Sequence, residues 1–321
     1  MKSFTISGED DGKRLDRYAA NALAGVGASM VQKYIRLKKI KVNGKPGKPD
    51  DRLKTGDVVE MYVSDDVFET SLRKPDRLYE NFKPHIDVVY EDEDLLIVDK
   101  KPGLISHPDE NERVNTLVTH VRAYLYKKGE WSAQKGDFAP VLLNRLDRFT
   151  GGLVMAAKTK QALDRVNRAI RNSEITKRYI CICHGRPRPA AGTFRNYLTH
   201  TGRHVFVSPI STPGGKLSIT HYRTLDTKNG LSLVECELVT GRTHQIRAQM
   251  AYANYPILGD NSYGKKDDDK RFGRSYQALY AVQLAFGKGI FERLDGMVVS
   301  VDAPFVREYF PDYKPDLRTN G

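Results

Sequence analysis

The sequence predicts an α+β protein in two parts: a small α/β unit over residues 1–63 and, after a linker at 64–86, a larger unit over 87–310 with a tail at 311–321. Three observations carry this expectation. A chain of 321 residues can bury two cores. From Ile86 onward, strand-like apolar runs dominate and helical patterns are inserted among them without strict alternation. That favours a mixed, largely antiparallel sheet over a doubly wound one. Charge is also unevenly placed: the formal net charge is +12, yet the stretch from Val31 to Lys48 holds seven Lys or Arg residues and no acid.

In the first part, Leu15, Tyr18, Ala19, Ala22 and Leu23 recur at helical spacing. A glycine-containing loop follows. Ser29, with Gln32 three residues later, fits a capping box opening a second helix with Val31, Tyr34 and Ile35 on its apolar stripe. "KVNGKPGKP" reads as a short strand with an Asn43-Gly44 turn, and "TGDVVEMYV" as a turn and closing strand. In the second part, Val88–Tyr90 and Leu95–Val98 read as strands around an acidic turn. "VLLNRLDRFTGGLVMAAKTK" reads as strand, tight turn, strand, and Gln161–Asn172 as an amphipathic helix through Leu163, Val166 and Ile170. Further strands are expected at Tyr179–Cys183, Ser218–Thr224 and Leu231–Leu238, and Lys265–Arg274 as a charged, solvated loop.

Composition narrows the function. No stretch approaches the ~20 apolar residues of a membrane span. The acidic N-terminal stretch lacks the apolar run of a signal peptide, so a cytoplasmic protein is expected. Cys181, Cys183 and Cys236 have no framework spacing and are expected as reduced, buried thiols; Cys181 and Cys183 share one strand face. A metal site through His184 would need two more ligands. There is no GxGxxG, no Walker loop, no zinc-deaminase pair and no G-x-S-x-G elbow. The basic run Lys33, Arg36, Lys38, Lys39, Lys41 and Lys45 carries one sign only, which points to a polyanion more than to a solvated face.

Three segments could carry chemistry. In "NRLDRFTGG" (144–152) Asp147 lies between Arg145 and Arg148, ahead of Thr150 and two glycines that permit close approach. An anionic carboxylate there could act as base, nucleophile or metal ligand, or could stitch a turn to an arginine. In "TGRTHQIRAQM" (240–250) Arg242, Thr243, His244 and Arg247 gather at an expected helix start. In "DKKPGLISHP" (99–108) Pro102-Gly103 forces a turn beside Lys100 and Lys101.

Together and in this order, "KPGLISHP", "NRLDRFTGG" and "TGRTHQIRAQM…PILGDNSYG" resemble the signature segments of the RluA-type pseudouridine synthases. The basic first sixty residues resemble the S-four-type RNA-binding domain that often precedes that catalytic domain. The resemblance covers roughly Arg14 to Pro304. It implies a central cleft in which uridine of structured RNA is detached from its ribose, turned and rejoined through carbon 5, with no cofactor and no metal. By motif position Asp147 matches the essential aspartate, Arg247 the arginine that pairs with it, and Tyr179 the tyrosine that stacks on the target base. Arg145 matches the arginine that fills the vacated space. Asn144, Thr150, Arg242, Thr243, His244 and Gln245 are candidate substrate contacts, and Lys33, Arg36, Lys38, Lys39, Lys41 and Lys45 candidate RNA-backbone contacts. Two positions depart from the family: Asn144 stands where histidine is common, and Gly151 where serine is frequent. The linked RNA-binding domain points to ribosomal RNA as substrate, with transfer RNA as the alternative. A non-catalytic RNA- or ribosome-binding protein of the same fold is the rival of a different class, and a DNA-binding protein a third reading.

Overall fold

Two units make up the computed structural model, which describes residues 1–23, 28–64, 75–133, 138–202, 204–264 and 266–314. Residues 65–74 of the expected linker, most of the expected tail, the glycine loop before the second helix, and part of the stretch around Gly136 lie outside the described residues. One unit comprises Met1–Asn81 with Ser132–Asp137, and the other Phe82–Trp131 with Phe138–Gly321.

In the first unit β1 (Lys2–Thr5), α1 (Leu15–Ala22), α2 (Ala28–Arg36), β2 (Ile40–Val42), β3 (Lys45–Pro46) and β4 (Val58–Met61) are followed by α3 (Pro75–Asn81). The strands pair antiparallel in the order β1-β4-β2-β3. Leu15, Ala19 and Leu23 pack with Val31, Ile35, Ile40, Val59 and Met61, so the helical stripes read from the sequence are the core-facing ones. Asn43 and Gly44 both have positive φ, 50° and 75°, as a two-residue hairpin between twisted strands requires. The Asn43 side chain reinforces the turn, accepting from Val58 N and donating to Asp57, each at 2.8 Å. The capping-box expectation is corrected: α2 already includes Ala28, so Ser29 lies inside its first turn.

The second unit runs β5 (Asp87–Glu91), β6 (Leu95–Lys100), α4 (Leu117–Lys127), β7 (Val141–Leu142), β8 (Gly151–Ala157), α5 (Lys160–Arg171), β9 (Ile175–His184), β10 (Ala191–Thr201) and β11 (His204–Ser208). It continues through β12 (Lys216–Lys228), β13 (Leu231–Leu238), α6 (Gln245–Tyr252), α7 (Lys266–Arg271), β14 (Leu279–Phe286), β15 (Val298–Ser300) and α8 (Val306–Tyr309). Among the described residues the strands form one sheet in the order β11-β10-β12-β13-β9-β14-β8-β6-β5, with β15 beside β14 and β7 beside β8. The pairing is antiparallel except between β8 and β14, so the fold is α+β with a largely antiparallel sheet. The loop between β7 and β8 is eight residues long (143–150), not a tight turn.

α5 is amphipathic as its spacing requires: Ala162, Val166 and Ala169 face Leu95, Leu153, Met155 and Leu284 of the sheet. Thr159 caps it, accepting from Ala162 N at 3.1 Å. β8 is buried along its whole length, which fits its unbroken apolar run. Cys181, Cys183 and Cys236 are free and fully buried. No described helix is long and apolar enough to cross a membrane. Lys266–Arg271 of the expected loop is helical, and its Asp269 meets buried His184 at 2.7 Å.

Candidate active site

Asp147 sits in the 143–150 loop, which is tied down on three sides. Asn144 extends the β7–β8 pairing with its side chain, accepting from Met155 N at 2.8 Å and donating to Leu153 O at 3.2 Å. Its amide is thereby used structurally. Within the loop Thr150 N donates to Asp147 O at 3.1 Å, and buried Thr150 accepts from Gln277 at 3.2 Å. The third side is the "DKKPGLISHP" segment. Lys100, at the end of β6 and 1% exposed, donates to the carbonyls of Lys101, Leu104 and Arg148 at 3.1, 2.8 and 3.2 Å. Gly103 N adds a bond to Arg148 O at 2.8 Å, and Ser106 both accepts from Leu146 N and donates to Leu146 O. The glycines after the loop admit neighbouring protein: a Cβ on Gly151 would overlap the Tyr280 ring, and one on Gly152, where φ is +112°, would overlap the Ala281 backbone.

Across the cleft Arg247 on α6 donates to the Asp147 carboxylate at 2.8 Å. Arg247 is in turn gripped by fully buried Asp260, Nε at 2.7 Å and Nη2 at 2.9 Å, a bidentate pair that fixes the guanidinium plane. Burial works against the Arg247 charge, but Asp260 and Asp147 outweigh it and hold its pKa above the ordinary arginine range. Asp260 also accepts from Ser262 N and Tyr263 N at 2.9 and 3.1 Å. The Asp147 side chain keeps 20% of its surface open to the cleft. The arrangement is an anion held in place by a cation that is itself held, with one carboxylate face free.

α6 starts within the segment expected to open a helix. Thr243 lies just ahead of it, and His244 is the N-cap, in the left-handed region at φ 56°, with no side-chain cap. That conformation turns its ring inward, Nδ1 2.9 Å from the Tyr263 hydroxyl and Nε2 3.7 Å from Asp147. Burial lowers the His244 pKa, with Asp147 opposing and Arg247 reinforcing. Gln245 is buried with its amide occupied: the oxygen accepts from Thr240 and Arg242 N, and the nitrogen donates to Ile219 O and Thr220. Gln245 is thus a peg for the 240–242 turn, which corrects its expected place among substrate contacts.

Tyr179 projects from β9 into the same cleft and is 7% exposed. Burial, then the Asp147 carboxylate, push its hydroxyl above the ordinary phenol range, so it rests as a neutral phenol. The cleft has a volume of about 560 Å³ and brings together Asn144, Arg145, Asp147, Thr150, Tyr179, Arg242, Thr243, His244, Gln245 and Arg247. Arg145, Arg242 and Thr243 are exposed there. Lys33, Arg36, Lys38, Lys39, Lys41 and Lys45 belong to the other unit, where all but Lys41 are exposed and none pairs with a carboxylate among the described residues. Lys39 and Lys41 instead lie over the rings of Tyr34 and Tyr62, at 5.8 and 4.8 Å. Three buried charges escaped the sequence reading as site residues: Lys100, Asp260 and Lys177. No group of three or more His, Cys, Asp or Glu among the described residues could hold a metal ion.

Residues 94–252 match the family described as RNA pseudouridylate synthase, and residues 13–59 match the S4 domain. Over 99% of this chain and 98% of its own length, an uncharacterized RNA pseudouridine synthase of Bacillus subtilis, YlyB, is 30% identical. Ribosomal large subunit pseudouridine synthase D of Buchnera aphidicola is 31% identical over 84% of this chain and 81% of its own. Ribosomal large subunit pseudouridine synthase C of Haemophilus influenzae is 30% identical over 89% and 87%. Among solved structures, human RNA pseudouridylate synthase domain containing 4 shares the fold, with a TM-score of 0.54 and 20% identity over 68% of this chain and 88% of that one. The chain belongs to the RluA-type RNA pseudouridine synthases and carries an S4 domain ahead of the catalytic unit.

Proposed function

We propose that this enzyme isomerises specific uridines of ribosomal RNA and that Asp147 is its catalytic carboxylate. The observation that carries the reading is the chain Asp147–Arg247–Asp260, in which a partly accessible carboxylate is oriented at 2.8 Å by a guanidinium that is buried and bidentately fixed. A structural pair would need no open face. The open face lets Asp147 attack the ribose anomeric carbon or the uracil ring, or take a ribose proton. Tyr179 supplies a ring on which the extruded base can stack, worth ~1–3 kcal/mol. Arg145, exposed beside the cleft, suits the gap left by the base, whose extrusion costs a few kcal/mol. Ribosomal RNA is favoured because relatives across most of the chain's length carry ribosomal large subunit in their names.

The test is pseudouridine mapping by carbodiimide modification and reverse transcription on unmodified ribosomal and transfer RNA, with no cofactor added. Wild type is expected to give new stops on ribosomal RNA. Asp147→Asn should lose turnover by ~10³-fold or more while still binding RNA. Stops on transfer RNA alone would reassign the substrate. An active Asp147→Asn variant would remove the carboxylate from the chemistry.

A further inference from the structure

The cleft holds a second buried cation that the ion-pair chain does not use. Lys177 lies on β9 two residues before Tyr179, so both side chains leave the same face of the strand, ~7 Å apart along it. Lys177 is only 8% exposed and lines the cleft with Ile170, Arg171 and Ser173 from the end of α5. Arg247 is neutralised by two carboxylates. Lys177 has no ion pair and no hydrogen bond among the described residues, and burial lowers its pKa with no carboxylate to offset it. An unpaired ammonium in a dry site is costly, and leucine or methionine would fill the space at lower free energy. A charge kept there in the free enzyme is matched to an anion that arrives with the substrate.

We propose that Lys177 is a further catalytic residue, which binds the target uracil through a ring carbonyl oxygen and stabilises the negative charge that the base takes on when it leaves the ribose. The proposal rests on the pseudouridine synthase reading of this cleft. When the bond between carbon 1′ and N1 breaks, its electron pair goes to the uracil and spreads over N1 and the two carbonyl oxygens. Carbon 5 then bonds carbon 1′, carbon 5 loses its proton and N1 gains one, so atoms and electrons balance without an oxidant. A base stacked on Tyr179 lies within reach of a lysine rooted two residues away. A fixed cation acts strongly on that charge because the site excludes water. A phosphate is a poorer occupant, since the RNA backbone must pass in and out at the cleft mouth. The exposed Arg145, Arg171 and Arg242 are there to meet it.

Lys177→Met and Lys177→Arg test this in the full-length protein. Three quantities would be read: the single-turnover rate at saturating enzyme, RNA affinity by filter binding, and melting temperature. Lys177→Met is expected to lower the rate by ~10²–10³-fold, leave affinity within about threefold, and keep or raise the melting temperature because an unpaired buried charge has gone. Lys177→Arg should recover part of the rate. A Lys177→Met rate within threefold of wild type overturns the proposal. So does a rate loss that follows a lowered melting temperature and is equal in both variants, which marks a structural lysine. A wild type that forms no pseudouridine on either RNA overturns the underlying reading and this role with it; an active wild type with an equally active Lys177→Met overturns this role alone.

Discussion

At the scale of single residues, the two departures from the family pattern have physical reasons. Asn144 is bound on both sides of its amide to the β8 backbone, a planar donor–acceptor contact that suits asparagine. Gly151 is dictated by Tyr280, whose ring occupies the space of a Cβ and whose hydroxyl donates to Asp99 at 2.7 Å. Gly151→Ser should therefore cost about 1–3 kcal/mol by overpacking. Adding Tyr280→Leu should return much of that loss. Urea unfolding of wild type, both single variants and the double variant would show a favourable coupling of ~1 kcal/mol or more; strictly additive losses would mean that Tyr280 is not what demands the glycine. The pair Asp147–Arg247 was legible because both residues sit in motifs whose residue types announce their chemistry. Asp260 and Lys177 were not, since one pairing across the fold and the absence of another decide their meaning. A lysine in a strand reads as a surface residue until its burial is known.

At the scale of elements, periodicity named the strands and helices with one clear stripe or an unbroken apolar run, including β6, β13 and α5. It passed over α4, whose residues from Leu117 to Leu125 are buried on nearly every side, so no polar face marks the period. It also passed over β10 and β11, the last two strands at one end of the sheet, whose composition is mixed. The segment that reads as a turn in the sequence, residues 99–108, proves to be the brace of the Asp147 loop, through Lys100. Burial pushes the Lys100 pKa down to about 7; the Asp147 and Asp99 carboxylates pull the other way without reversing it. An unfolded lysine titrates near about 10.4. Below pH 7 both states hold the proton and the penalty of the buried charge is present in full. Between about pH 7 and 10 the folded chain has released a proton that the unfolded chain still binds, so stability rises with pH. Unfolding free energies of wild type and Lys100→Met at pH 6 and pH 9 should move apart in favour of wild type, by on the order of 2 kcal/mol. An unchanged difference would show that Lys100 keeps its proton throughout.

At the scale of the whole molecule, the +12 charge divides by purpose. The second unit commits its buried Arg247 to two carboxylates, whereas in the first a run of lysines and an arginine meets no acid among the described residues. Such unpaired cations gain most from phosphates, because binding releases the counterions condensed on the RNA. The first unit is thus expected to supply affinity, and the second to supply the reaction. Replacing Lys33, Arg36 and Lys38 together by alanine separates these contributions, since all three are exposed and none belongs to a core. Each phosphate left without its cation should reduce the slope of log K against log salt by about 0.7–0.9, so the triple variant should lose about 2 to 3 from it. Affinity should fall to a similar degree on any structured RNA. The single-turnover rate at saturating enzyme should stay within about threefold of wild type, because no group in the cleft has changed. An unaltered salt slope would mean that these side chains face solvent in the complex. A lower rate at saturation would mean that the first unit takes part in placing the uridine as well as in holding the RNA.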